Sequence, residues 1–145
     1  MKKRIDLSSV ASNAYKRIIA LDSAVQNSEL NKIHLELIKI RASQINGCAY
    51  CLNLHTRDAI NQGESAQRIF LLNAWRETDL FSEEERTVLA MTEEITLISN
   101  NGLSDETYEM AAKLFDEEYV GLIIMAIITI NAWNRVAIST HKPLD

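Results

Sequence analysis

The sequence predicts an all-α fold, a single-domain bundle of about seven helices covering residues 1–145, and three observations predict it. Chain breakers are scarce: there are four glycines and one proline, and Pro143 lies at the very end, so long helices joined by short turns are expected. Apolar residues recur at 3.6-residue spacing along most of the chain. No segment shows the sustained period-two alternation of a half-buried strand. A chain of 145 residues is long enough to bury its own core, and no repeat, low-complexity tract or linker divides it.

The elements follow in order. A first helix is expected from Asp6 to about Ala24, with Ser8 and Ser9 at its entrance. Ser28 can cap a second helix to about Ile45, in which Ile33, Leu37, Ile40 and Gln44 keep the helical period. Asn46-Gly47 ends it, and a third helix runs from about Cys48 to Gln62, with Gly63 where a left-handed cap is wanted. A short fourth helix spans about Ser65 to Arg76. Ser82-Glu83-Glu84-Glu85 reads as a capping box with Phe81 before it, opening a fifth helix to about Ser99. The three glutamates are helix-start chemistry and not a metal cluster. Ser104 caps a sixth helix to about Asp116. The seventh, Glu118 to about Thr140, is apolar nearly all round in its first half and is expected to be buried on every side, partly by another copy of the chain.

Composition excludes several classes. A net charge of -5 argues against a nucleic-acid partner, since phosphate binding needs a basic surface. Met1-Lys2-Lys3-Arg4 is basic, but no apolar stretch follows as a signal peptide requires. The longest apolar run, Val120 to Ile130, is shorter than the roughly 20 residues of a membrane span. A cytoplasmic protein without membrane contact is expected. There, a lone cysteine pair is more often metal-binding or redox-active than a permanent structural bridge.

That pair lies in "GCAYCLNLH", Gly47 to His55. On a helix Cys48 and Cys51 are i and i+3, and His55 is i+4 from Cys51, so all three share a face. Cα atoms three residues apart are separated by roughly 5 Å, within disulfide range. The helix N-terminus favours an anion, so at least one cysteine is expected to react as its thiolate, and His55 can move the proton. If the second and third helices form an antiparallel hairpin, heights above the turn can be compared at about 1.5 Å per residue. Glu36 then stands about 13 Å above the turn, His55 about 10 Å and Cys51 about 4–5 Å. This predicts a line Glu36, His55, Cys51. Glu36 sits among Leu35, Leu37 and Ile38, and burial there would push its carboxyl up unless His55 pairs with it.

The segment "HLELIKIRASQINGCAYCLNLHTRDA" resembles the core of the AhpD-like alkylhydroperoxidases of the carboxymuconolactone decarboxylase superfamily. The shared pattern is Glu36, eleven residues, Cys48-x-x-Cys51, three residues, His55. "LFSEEERTVLAMTEEIT" (80–96) and "NAWNRVAI" (131–138) extend the likeness over about Ile33 to Ile138. The resemblance implies an all-helical subunit assembled as a trimer or hexamer. It also implies a thiol cycle on hydroperoxides, organic or hydrogen peroxide, without flavin, haem or metal. Cys51 would attack, Cys48 would resolve the sulfenic acid to a disulfide, and Glu36 and His55 would relay the proton. Electrons would come from an external dithiol such as a lipoyl group. Tyr50 stands where some of these alkylhydroperoxidases carry a second histidine. The decarboxylase branch lacks the cysteine pair, so decarboxylation is not expected.

Two other uses of the cluster are a non-catalytic redox sensor and a zinc site, in which Cys48, Cys51 and His55 take Glu36 or His34 as fourth ligand. Leu52 follows Cys51 where covalent haem attachment needs histidine, and no βαβ pattern surrounds the motif, which excludes a thioredoxin fold. His34 faces away from Glu36 and reads as a surface residue, and His141 as solvated. Trp75 and Trp133 read as packing anchors, and Arg135 as a structural ion-pair partner across a subunit contact.

Overall fold

The computed structural model describes residue 2 and residues 4–144. Met1, Lys3 and Asp145, including part of the basic start, lie outside the described residues. Eight α-helices and one 3₁₀ segment are present among the described residues, and no strand.

The first expected helix is two: α1 (Leu7–Val10) and α2 (Ser12–Gln26). They are separated at Ala11, whose φ of −134° and ψ of 42° are not helical. Asp6 caps α1 by accepting from the Ser8 N–H and hydroxyl, and the Ser9 hydroxyl donates to the Asp6 carbonyl. The next helix, α3 (Lys32–Asn46), starts later than expected because Asn31 is its cap, accepting from the Ile33 and His34 N–H groups. Ser28 instead turns back to the Val25 carbonyl and accepts from Leu30 N–H, which lets Leu30 bury.

Gly47 closes α3 in the left-handed conformation (φ +69°), which a residue with a Cβ adopts only at a cost. The chain reverses there into α4 (Ala49–Asn61). After α5 (Ala66–Leu71) the fourth expected helix tightens into 3₁₀ geometry over Leu72–Glu77, with a kink at Ala74. The kink turns Trp75 into the core, where its indole N–H donates to Glu93 Oε1 at 2.9 Å. Trp75 is thus the anchor that was expected.

The capping box at Ser82 and Glu85 forms with both reciprocal bonds and opens α6 (Glu83–Thr96). Glu85 also pairs with Arg68. Ser104 caps α7 (Asp105–Leu114), which ends before Asp116 because Asp116 caps the following helix by accepting from Tyr119 N–H. That helix, α8 (Glu117–Thr140), packs against α2, α3 and α6.

α8 is not buried on every side. Ile123, Ala126, Ile127, Ile130, Asn134 and Ala137 form its covered stripe, but Met125 and Ile128 are 38% and 45% exposed, because this chain supplies no element for that face. Within its 24 residues an 18-residue stretch has a mean hydropathy of 1.6, long and apolar enough to cross a membrane by length and composition alone. Two apolar clusters fill the interior. The larger gathers α3, α6 and α8 around the cysteine pair, and the smaller centres on Leu37, Ile40, Leu72 and Trp75.

Candidate active site

The site is built on the reversal between α3 and α4. Cys48 N–H donates to the Ser43 carbonyl, and Asn46 Nδ2 donates to the side chains of both Asn131 and Asn134. Asn134 in turn donates to the Ser43 hydroxyl, so the turn is tied to α8 by satisfied buried polar groups. Within the chain Arg135 bonds Asn131 of its own helix.

Cys48 is the N-cap of α4, one position outside the helix, and its sulfur accepts the Cys51 N–H. The two cysteines are joined as a disulfide with Cα atoms 5.4 Å apart, and both are buried. Cys51 lines a cavity of about 210 Å³ and Cys48 does not. His55, Lys39, Tyr50, Tyr15 and Trp133 line it as well. Trp133 meets Tyr15 edge-on at 5.3 Å, so it serves the cavity wall as well as packing. Tyr50 sits under the Lys142 ammonium, 4.3 Å from the ring centroid.

Glu36 and His55 come together as the hairpin heights predict: Glu36 Oε2 lies 3.2 Å from His55 Nδ1. The contact is not aligned as a hydrogen bond, and neither buried atom has another hydrogen-bond partner. With Nδ1 turned to Glu36, Nε2 is the ring nitrogen left for the cavity. Asp58 Oδ2 stands 3.6 Å from the same Nδ1.

Lys39 was missed. It looks like one more polar residue on the helix, yet it is buried, and its Nζ donates to Glu36 Oε1 at 2.9 Å. The signal was there: Lys39 is i+3 from Glu36 inside an apolar run. Burial alone would push the Glu36 carboxyl up; pairing with His55 and the Lys39 ammonium overcomes this and holds it below the usual carboxylate range. Glu36 is therefore ionised at neutral pH.

The alternative zinc set is not assembled. The cysteine sulfurs bind each other, and His34 is buried rather than on the surface. Its Nδ1 meets the Tyr119 hydroxyl at 2.8 Å, and its ring lies edge-on to Phe115, partners some 80 residues away that no local pattern reveals. Burial holds its imidazole below the usual value, with Glu85 and Glu84 opposing weakly. Among the described residues, the acidic and histidine groups with ligand atoms in mutual reach are Glu36, His55 and Asp58, without a cysteine. Lys39 already meets the Glu36 charge there. His141 is half-buried, its Nδ1 at 3.1 Å from the Lys2 carbonyl.

The model of the carboxymuconolactone decarboxylase family matches residues 13–94, which contain Glu36, both cysteines and His55. The chain belongs to this family. Within it, the chain is 40% identical over 139 residues to YdfG, an uncharacterised Bacillus subtilis protein, covering 96% of this chain and 95% of that one. A crystal structure of an Agrobacterium tumefaciens protein of unknown function, described as a candidate antioxidant defence protein AhpD, superposes with a TM-score of 0.95. It is 36% identical and covers 99% of both chains. The AhpD core of an uncharacterised peroxidase-related protein from Ralstonia eutropha JMP134 shares the fold at 17% identity (TM-score 0.82, 96% of this chain and 74% of that one). The chain is thus an AhpD-like member with an all-helical fold, and its Cys48–Cys51 pair fits a CxxC hydroperoxide reductase.

Proposed function

We propose that the protein is a thiol-dependent hydroperoxide reductase in which Cys51 attacks and Cys48 resolves. The observation that supports it most is the convergence on one cavity of Cys51 and His55, with ionised Glu36 behind the imidazole. His55 takes the Cys51 proton, and the thiolate attacks the terminal oxygen of ROOH. The O–O bond breaks, Cys51 becomes a sulfenic acid, and the departing alkoxide takes the proton from His55 to leave as ROH. Cys48 then attacks the Cys51 sulfur and expels water, giving the disulfide. An external dithiol returns two electrons and two protons by thiol–disulfide exchange.

The assignment of Cys51 as attacker is supported by access, since it and not Cys48 reaches the cavity. Cys48 suits the resolving role, because its sulfur is already held in the first turn by the Cys51 N–H. Glu36 favours the imidazolium that forms as His55 accepts the proton. The cavity walls are mainly apolar and aromatic, which suits an organic hydroperoxide. The exposed Met125–Ile128 face of α8 is taken to be covered in a homo-oligomer.

Turnover tests this reading against a redox sensor using the same disulfide. With excess dihydrolipoamide or dithiothreitol, the enzyme consumes many equivalents of cumene hydroperoxide per subunit, above the rate of the reductant alone. Consumption that stops after one equivalent would make the protein a sensor.

A further inference from the structure

Lys39 is a buried cation that the relay above does not employ. Its side chain is 4% exposed, and it shares the wall of the Cys51–His55 cavity. An ammonium carries three N–H donors, and among the described residues Glu36 is the single hydrogen-bond partner of this one. Two of its donors are left without a protein acceptor, on a residue that lines the cavity. Burying such a pair is expensive, and apolar side chains in its place are often as stable or more so, so fold stability gives little reason for Lys39.

The proposed reaction builds negative charge chiefly at one place, on the oxygen that departs as the O–O bond breaks. His55 neutralises that oxygen only as its proton arrives. A preorganised donor aimed at developing charge in a water-poor cavity is the arrangement that stabilises such a transition state.

We infer that Lys39 is a catalytic residue, donating a hydrogen bond from its ammonium to the leaving oxygen of the hydroperoxide. The inference rests on the hydroperoxide-reductase reading and deepens it. The Cys51 thiol proton passes to His55, a sulfur electron pair forms the S–O bond, and the O–O pair stays on RO. Lys39 holds that oxygen until His55 protonates it and is itself unchanged. The sum is Cys–SH + ROOH → Cys–SOH + ROH.

Leaving-group dependence tests this. Reduced protein is mixed with cumene hydroperoxide, whose leaving group is a basic alkoxide, or with peracetic acid, whose leaving carboxylate is stable unaided. Thiol loss in a single turnover is followed by rapid quench. Lys39→Met is expected to slow oxidation by cumene hydroperoxide about 10²–10³-fold but oxidation by peracetic acid less than about tenfold. Lys39→Arg, which keeps a cationic donor, is expected to restore most of the alkyl hydroperoxide rate. An equal loss with both oxidants would make Lys39 only the structural counter-ion of Glu36, and no loss with either would leave it without a role. Both results overturn the inference.

Should Lys39→Met not fold, as judged by circular dichroism, the wild type carries the test. Across peroxides of rising leaving-group basicity its rate should fall less steeply than that of free cysteine. An equal slope overturns the inference. A wild type oxidised by no peroxide faster than free cysteine overturns the reductase reading as well, which separates the two failures.

Discussion

Glu36 Oε2 and His55 Nδ1 face each other 3.2 Å apart across the α3–α4 reversal, and neither atom has another hydrogen-bond partner. Two buried polar atoms without a well-aligned hydrogen bond, with Asp58 Oδ2 as the further neighbour of Nδ1 at 3.6 Å, make a costly arrangement for stability alone. The other Glu36 oxygen accepts from Lys39, which holds the carboxylate in orientation. The pair thus presents an oriented imidazole to the cavity that Cys51 lines.

Glu36→Gln and His55→Asn are each expected to slow peroxide-driven thiol loss by about 10²–10⁴-fold, the range for losing a positioned proton-transfer group. The double variant should be little slower than the worse single one, because the two residues act as a unit. Single-turnover oxidation of the four proteins at one pH provides the check. Additive losses would mean that they act separately.

Stability should fall with pH in two stages. The folded His34 imidazole titrates below its ordinary value of about 6.5, so as pH drops through that value the unfolded chain takes up the proton first. The contribution of His34 is therefore complete above about pH 6.5 and is lost as the pH falls toward its lower folded value. Glu36 and Glu93, whose folded carboxyls are depressed, add stability present above the ordinary carboxylate range and lost below it. Thermal melts of wild type and His34→Asn from pH 8 to pH 4 check this. The variant should lose the upper stage and keep the lower.

Ile127 is fully buried on α8, in the cluster that surrounds the cysteine pair. Ile127→Ala is expected to cost about 2–5 kcal/mol, from lost apolar transfer and the cavity left behind. Urea unfolding of the reduced and oxidised proteins measures it.

The uncovered stripe of α8 gives a further expectation. Ile128→Glu should lower the molar mass in solution to that of one 16.4 kDa chain, read by light scattering after size exclusion. A wild type that already runs as a single chain would remove the homo-oligomer reading.

What the sequence revealed follows from which contacts are local. The all-helical class was legible because breakers and apolar period act within a few residues. Glu36 and His55 were legible because a two-residue turn makes the heights of two helices commensurable. Lys39 escaped because a lysine on a helix ordinarily points to solvent, and only the fold shows that this face of α3 looks into a cavity. The partners of His34 and Trp133, Tyr119 and Tyr15, lie more than 80 residues away, beyond any local pattern. The late start of α3 was decided by the Asn31 side-chain cap, which the helical period does not reveal.

The central claim is that Cys51 reduces peroxides and Cys48 closes the cycle. The most direct measurement is intact mass with a free-thiol count on metal-free, pre-reduced protein, before and after one equivalent of cumene hydroperoxide. The account predicts that the wild type loses both thiols and two hydrogens. It also predicts that Cys48→Ser stops with one added oxygen and that Cys51→Ser does not react. Thiols that persist through minutes of peroxide, or an added oxygen on Cys48 in Cys51→Ser at the wild-type rate, would contradict it.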